Sequence, residues 1–200
     1  MVASQYISKV DEQLDSLMNQ SEVIKKAGNV LAGAVLDGKK VYVADRYGIL
    51  DAELVERASG PAFFRSYKKH GDSIQNGDVV ILSAFHTDDR DDRDILDNAR
   101  ALGAVIITIS PNGPLSQAAD ISLNNNDDGT NGVITVTGMN KSFAPVSGIM
   151  NAALAWTLVA ETTEIFISKG EIPTVYRGGY LKEGREKNTE ARKRYKSLGY

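Results

Sequence analysis

Two short segments of this chain bring together residue types that bind anions and move protons. Asp45-Arg46-Tyr47-Gly48 follows the β-type run Lys40-Val-Tyr-Val-Ala44, and Ala84-Phe85-His86-Thr87 follows the β-branched run Asp78-Val-Val-Ile-Leu-Ser83. In open parallel α/β sheets, ligands bind beyond the C-terminal ends of the strands. Each segment then runs into a predicted helix, whose N-terminal N–H groups and partial positive charge suit a phosphate. Ser83 and Thr87 would add hydroxyls, and Arg46, next to Tyr47, a charge-assisted clamp. The same two hydroxyls also fit a strand end and a helix N-cap. Asp88, Asp89, Asp91, Asp92, Asp94 and Asp97 crowd the start of the second helix. Acids in a first turn favour that turn, yet they repel phosphate, and Arg90 and Arg93 offset them only in part. Three readings of this stretch stand: a solvated helix start, a phosphate site with the acids turned outward, or an oxygen-ligand site for Mg²⁺ or Ca²⁺ without EF-hand spacing.

Composition narrows the chemistry further. The chain has 200 residues, a formal net charge of −3, and no cysteine. That excludes a disulfide framework, a thiol nucleophile, Cys-type zinc sites and iron–sulfur ligation. His70 and His86 are the only histidines, so a multi-His metal centre within one chain is not expected, and no cofactor is implied. The charge balance gives no whole-chain case for nucleic acid. No apolar run reaches the ~20 residues of a membrane span. Asp11, Glu12 and Asp15 come early, against a signal-peptide pattern. The expectation is a cytoplasmic protein with no membrane and no nucleic-acid partner.

The elements that must position these residues alternate in type. Residues 1–36 form a helical arm with one apolar stripe, Ile7, Val10, Leu14, Leu17, Ile24, Ala27, Leu31 and Ala34. Ser21 breaks it, so two helices meeting there fit equally. The stripe fits a helix laid on its own domain or a seam against a second subunit. Leu50 to Ala58 has helical spacing, Ala62 to Ser66 reads as a strand, and Gly71 to Gly77 as a turn-rich loop. Asp91 to Leu102 is helical, with Ile95, Ala99 and Leu102 on one side. Ala104 to Ile109 is a buried strand closed by the turn Pro111-Asn-Gly-Pro114. Ile121 lies in a short strand, and Val133 to Val136 is a further extended candidate. Val146 to Lys169 is a long helix, with Ile149, Ala153, Trp156, Val159 and Ala160 predicted to face inward. Strands alternating with helices imply right-handed crossovers and a parallel sheet covered on both faces. The architecture is one domain: the arm, a core over 37–170 and a basic extension over 171–200. Between Lys182 and Lys196 seven basic residues face three acidic ones, a net +4 that leaves −7 on the rest. A solvated helix and a contact with a partner subunit both fit.

This order of segments resembles the SIS (sugar isomerase) domain family, especially its small stand-alone phosphosugar-binding members near the phosphoheptose isomerases. The likeness is carried by the first helix from Tyr6 to Ala27, Gly38-Lys-Lys-Val-Tyr-Val43 and Ala52-Glu-Leu-Val-Glu-Arg-Ala-Ser-Gly60. It continues in Gly77-Asp-Val-Val-Ile-Leu82, Ala99 to Ile109, Ala118-Ala-Asp-Ile-Ser-Leu123 and Pro145-Val-Ser147. The resemblance implies an α/β/α sandwich on a mostly parallel five-stranded sheet. It implies a homodimer or homotetramer, and a sugar phosphate bound at the two strand exits. In isomerase members a Glu on the helix after the first strand moves a proton between C1 and C2, and Glu53 matches that position. The implied enzyme is an aldose–ketose isomerase with Glu53 as base and His86 as acid or polariser. Arg46, Tyr47, Ser83 and Thr87 would hold the phosphate. Glu53 also stands four residues before Arg57, the spacing of a surface ion pair. The alternative is a non-catalytic sensor or scaffold on the same fold.

Overall fold

The computed structural model describes residues 2–55, 57–70, 73–127 and 132–197. Five parallel strands form the sheet: β1 (Val41–Asp45), β2 (Phe64–Ser66), β3 (Val79–Ser83), β4 (Val105–Ser110) and β5 (Ile121–Asn124). Their spatial order is β2-β1-β3-β4-β5. The chain winds outward through β2, then crosses back to place β3 beside β1, so the order reverses between β1 and β3. That switch point is where crossover connections diverge and leave a crevice. Asp45 and Ser83 are register partners there, so the loops after both strands start side by side.

Strand residues alternate between two apolar layers. Val41, Val43, Val79, Ile81, Ile107 and Ile109 bury on one face, beneath the helices α1 (Val2–Leu17), α2 (Ser21–Leu36) and α7 (Ser147–Ser168). Tyr42, Ala44, Val80, Leu82 and Ile106 bury on the other, beneath α4 (Tyr67–His70), α5 (Arg90–Ala101) and α6 (Pro114–Ala118). A sheet buried on both faces explains the continuous β-branched runs of β3 and β4. The result is the expected three-layer α/β/α sandwich.

Several boundaries differ from the sequence reading. The helix after β1, α3 (Ile49–Leu54), stops at Leu54 because Val55 is extended; helical spacing through Ala58 did not carry the backbone. The segment read as a turn at 111–114 leads into α6, which starts on Pro114 with Ser116 bonded back to Gly113. Pro at a first helical position was the available signal. The inward face of α7 is centred on Met150, Leu154, Leu158 and Ile165, while Ile149 and Ala160 are exposed. Apolar residues surround this helix, so periodicity alone could not choose the buried face. On α5, Leu96 and Ala99 are buried and Leu102 is exposed. Val133–Val136 contributes a single antiparallel bridge, Ile134 to Phe143, rather than a strand.

The C-terminal extension returns along the chain. Ala62 donates its N–H to Thr174 O, and Tyr176 donates to Gly60 O. Its helix α8 (Gly184–Ser197) is anchored through Ala191 and Tyr195, the latter edge-on to Phe63. Arg194 binds Glu171 and the Ile172 carbonyl, just beyond the C-terminus of α7.

Candidate functional site

A cleft of about 940 Å³ opens beyond the C-terminal ends of β1 and β3. Its walls come from both exit loops, α3, the first half of α7 and Leu14 of α1.

The β1 exit is shaped by Asp45, whose buried carboxylate accepts the N–H groups of Tyr47 (3.0 Å) and Leu50 (2.5 Å). Gly48, at φ +80°, completes the turn into α3. That turn brings Tyr47, Ile49 and Glu53 to the cleft. Glu53 Oε2 accepts a hydrogen bond from Trp156 Nε1 at 3.1 Å, while Arg57 Nη1 lies 3.3 Å from Oε1. Its side chain keeps 27% of its exposure, so a carboxylate with a fixed orientation stands in the cleft wall. The ion pair with Arg57 and the place in the cleft coexist.

The β3 exit supplies Phe85 and His86. The Phe85 ring lies 4.7 Å from that of Tyr47, so the two exits meet through an aromatic pair. Behind them sits a buried amide cluster. Asn151 of α7 donates to Ser83 Oγ (3.0 Å) and to the Ala84 carbonyl (3.3 Å), and accepts from Asn125 Nδ2 (2.8 Å). One fully buried side chain thus ties the ends of β3 and β5 to the long helix.

The structure brings Tyr47, Glu53 and His86 together in the cleft and places the other three predicted residues elsewhere. Ser83 is buried beneath the loop, bonded to Asn151. Thr87 packs on Gly113, where an added Cβ would meet its own Cβ at 2.5 Å, and its carbonyl accepts the Leu115 N–H. Arg46 turns to α5, where it contacts Asp89, Asp91 (2.9 Å) and Asp92 (3.6 Å). The N-cap of α5 is Asp89 rather than Thr87, its carboxylate taking the N–H groups of Asp91 and Asp92. That helix end is therefore filled by its own acid. Asp92 is fully buried and neither carboxylate oxygen accepts a hydrogen bond. Burial pushes its carboxyl up to about 6, against the pull of Arg46.

A different helix end faces the cleft. Ser147, Gly148 and Ile149, the first residues of α7, line it, and no side chain caps them. Among the described residues no Lys or Arg lines the cleft. Sequence reasoning had placed Trp156 in the core and had singled out neither Asn151 nor Asp127. The chain has one tryptophan, but nothing in its spacing tied that indole to Glu53.

No protein-family model matches this sequence, and no curated protein is similar to it. Solved structures are similar in fold. The phosphoheptose isomerase of Neisseria gonorrhoeae superposes with a TM-score of 0.61 at 10% identity, covering 83% of this chain and 97% of that one. The phosphoheptose isomerase of Francisella tularensis gives 0.59 at 12%, over 81% and 96%. The sugar isomerase domain of an RpiR transcription factor from Sphaerobacter thermophilus gives 0.54 at 15%, over 98% of both chains. This chain has the SIS fold. In this chain the cleft lies at the switch point of the sheet, with a carboxylate, an imidazole and an uncapped helix N-terminus around one space. Such a set can seat an anion at the helix end and move protons on a neutral ligand held beside it.

Proposed function

We propose that the cleft binds a sugar phosphate and interconverts its aldose and ketose forms, with Glu53 as the proton-transferring carboxylate. The observation that supports this reading is the Trp156 Nε1–Glu53 hydrogen bond, which holds the carboxylate in the cleft that His86 also lines. Glu53 takes the proton from C2 of the open-chain aldose as the electron pair forms the C1–C2 double bond. His86 donates a proton to O1. Glu53 then returns its proton to C1 while the O2 proton passes back to His86, leaving the ketose. The phosphate sits at the first turn of α7, against Ser147 and Gly148, rather than on Arg46, Ser83 and Thr87.

The test is proton exchange with D₂O, followed by NMR over pentose, hexose and heptose phosphates. Exchange at C1 or C2 registers enediol formation even when net conversion is slow, and its loss in Glu53→Gln identifies the base. A second reading, a phosphosugar sensor without turnover, draws on the Arg57 ion pair at Glu53 and the acids around Arg46. Binding by calorimetry with no exchange on any sugar selects that reading. Neither binding nor exchange overturns both.

A further inference from the structure

We propose that the hairpin between β5 and α7 is a lid, hinged at Ala144, whose Lys141 closes on the phosphate of the ligand. The inference rests on the phosphosugar reading of the cleft and names the cation that holds the phosphate there.

The cleft as it stands lacks two things that this chemistry requires. A phosphate calls for a cation, yet among the described residues no Lys or Arg lines the wall, which holds the carboxylates of Glu53 and Asp127. The two arginines nearby are engaged, Arg46 with three aspartates and Arg57 with Glu53. An enediol must also be kept from water, and His86 stands exposed. Both requirements are met by an element that carries a positive charge over the cleft.

The connection from β5 to α7 has the form of such an element. Running from Asn125 to Val146, it is the longest connection among the described elements, and ordered connections beyond about 15 residues are commonly lids or binding loops. It borders the cleft at two places, Asp127 and Pro145. Between them the chain turns back on itself. Ile134 and Phe143 exchange both N–H···O bonds (3.1 and 2.9 Å), Met139 donates to Val136 O, and Gly138 takes φ +92° at the tip. Residues 137–141 are exposed. Lys141 is the one Lys or Arg between Arg100 and Lys169, and among the described residues no carboxylate pairs with it. Four residues separate it from Pro145 in the cleft wall, at most about 14 Å of extended chain.

The backbone marks the hinge. Four non-glycine residues among those described have positive φ, and two of them, Asn126 (+56°) and Ala144 (+60°), flank this hairpin. Asparagine tolerates that region, whereas alanine does so poorly. Ala144 also precedes Pro145, a position that favours extended backbone. Residues held in such conformations cluster at ligand clamps and switches. Rotation of Ala144 into the extended region relieves its strain and swings the hairpin about Pro145, whose carbonyl accepts the Tyr6 hydroxyl at 3.1 Å. Met139 and Phe143 of the hairpin are exposed, as is Tyr47 in the cleft wall, so closure brings apolar surface out of water. The hydration of Lys141 opposes closure over an empty cleft, and a bound phosphate replaces that hydration.

The lack of cysteine allows a single label. Thr137→Cys, at the exposed tip, is labelled with bimane, which tryptophan quenches at close range; Trp156 in the cleft wall is the only tryptophan. Inorganic phosphate and ribose 5-phosphate are titrated in, and binding is read in parallel by calorimetry. Quenching that saturates with binding is the expected result. Lys141→Ala is expected to bind both probes roughly tenfold or more weakly, and Lys141→Arg within a small factor of wild type. Ala144→Gly accepts the left-handed backbone without strain, so quenching and affinity should fall together although Lys141 is intact. Probe binding without quenching, equal affinity in Lys141→Ala, or an Ala144→Gly chain that closes like wild type overturns the hinged lid and leaves the phosphosugar reading standing. Absence of calorimetric binding for either probe is the failure of the phosphosugar reading itself, and of the role of Lys141 with it.

Discussion

Glu53 sits between two partners of different kinds, a neutral indole N–H donor on one carboxylate oxygen and a guanidinium cation beside the other. The first orients it, and the second competes with any proton it would take. Glu53→Gln keeps the size and the Trp156 contact but removes the base. Exchange at C1 or C2 is expected to fall by roughly 10²–10⁴-fold while binding of the same sugar phosphate, measured by calorimetry, stays within a small factor. Asp92 makes a second prediction, on stability. Its folded value, about 6, stands above the ordinary 3.8. A carboxyl raised in the fold contributes stability below its unfolded value and loses it as pH rises through the folded one. Stability from this residue is thus greatest below about pH 4 and falls by about 2–3 kcal/mol by pH 7. Urea unfolding of wild type and Asp92→Asn across that range should show a pH slope in the first that is absent from the second. Equal slopes would mean that Asp92 titrates alike in the folded and unfolded chain.

The exit loops owe their shape to elements that meet beneath them. Asn151 joins β3, the loop after β5 and α7 through three hydrogen bonds, with no water-exposed alternative for any of its partners. Asn151→Ala leaves the Ser83 hydroxyl, the Ala84 carbonyl and the Asn125 amide buried without this partner. The expected cost is about 2–4 kcal/mol in denaturant unfolding. Hydrogen exchange should quicken at Phe85 and His86, which the cluster holds in place, and much less in β4. A loss confined to global stability, with those loop amides unchanged, would make Asn151 a core residue without influence on the cleft. The α1 arm is a lighter attachment. Leu17 is its one buried residue, and polar ties fasten it: Tyr6 to the Pro145 carbonyl, Asn126 to Ser16 Oγ, and Gln20 to Asn124. Two of those ties hold the segments that flank the cleft, and Leu14 forms part of its wall.

For the whole molecule, exposed apolar residues gather on the helical layer that carries the cleft. Ile7 and Met18 of α1 stand in solvent, as do Ile149 and Ile167 of α7. We expect an assembly of two or four copies at micromolar concentration by light scattering. Removal of residues 1–19 should give monomer or aggregate, because it strips one side of that apolar layer. A truncated chain of unchanged mass in solution would leave α1 out of the interface. The basic extension packs back on its own domain through Tyr176, Ala191 and Tyr195 rather than standing off as an arm. Generic duplex DNA should therefore bind weakly, without the steep salt dependence of a phosphate-neutralising segment. Tight binding lost between low and moderate salt would contradict that.

The sequence by itself determined the order of elements and the layers, because burial on both faces of a parallel sheet writes itself as unbroken runs such as Val79 to Ser83 and Val105 to Ser110. It also pointed to the strand exits, since these follow from strand ends, and it picked Tyr47, Glu53 and His86, which share the cleft that opens there. Tertiary structure decided what each side chain does there. Arg46 could point to a ligand or to the aspartates of α5. Only the pairing of β1 with β3 brings those aspartates within reach and settles it. Ser83 reads as a loop hydroxyl until Asn151, 68 residues later, closes over it. The uncapped helix end that faces the cleft belongs to α7 and not α5, because Asp89 caps its own helix while Val146 brings no capping side chain to the other. Local pattern fixes which residues alternate and where a strand stops. Contacts between residues far apart in the chain depend on the packing of whole elements, and those contacts assign a polar side chain to a ligand or to its neighbours.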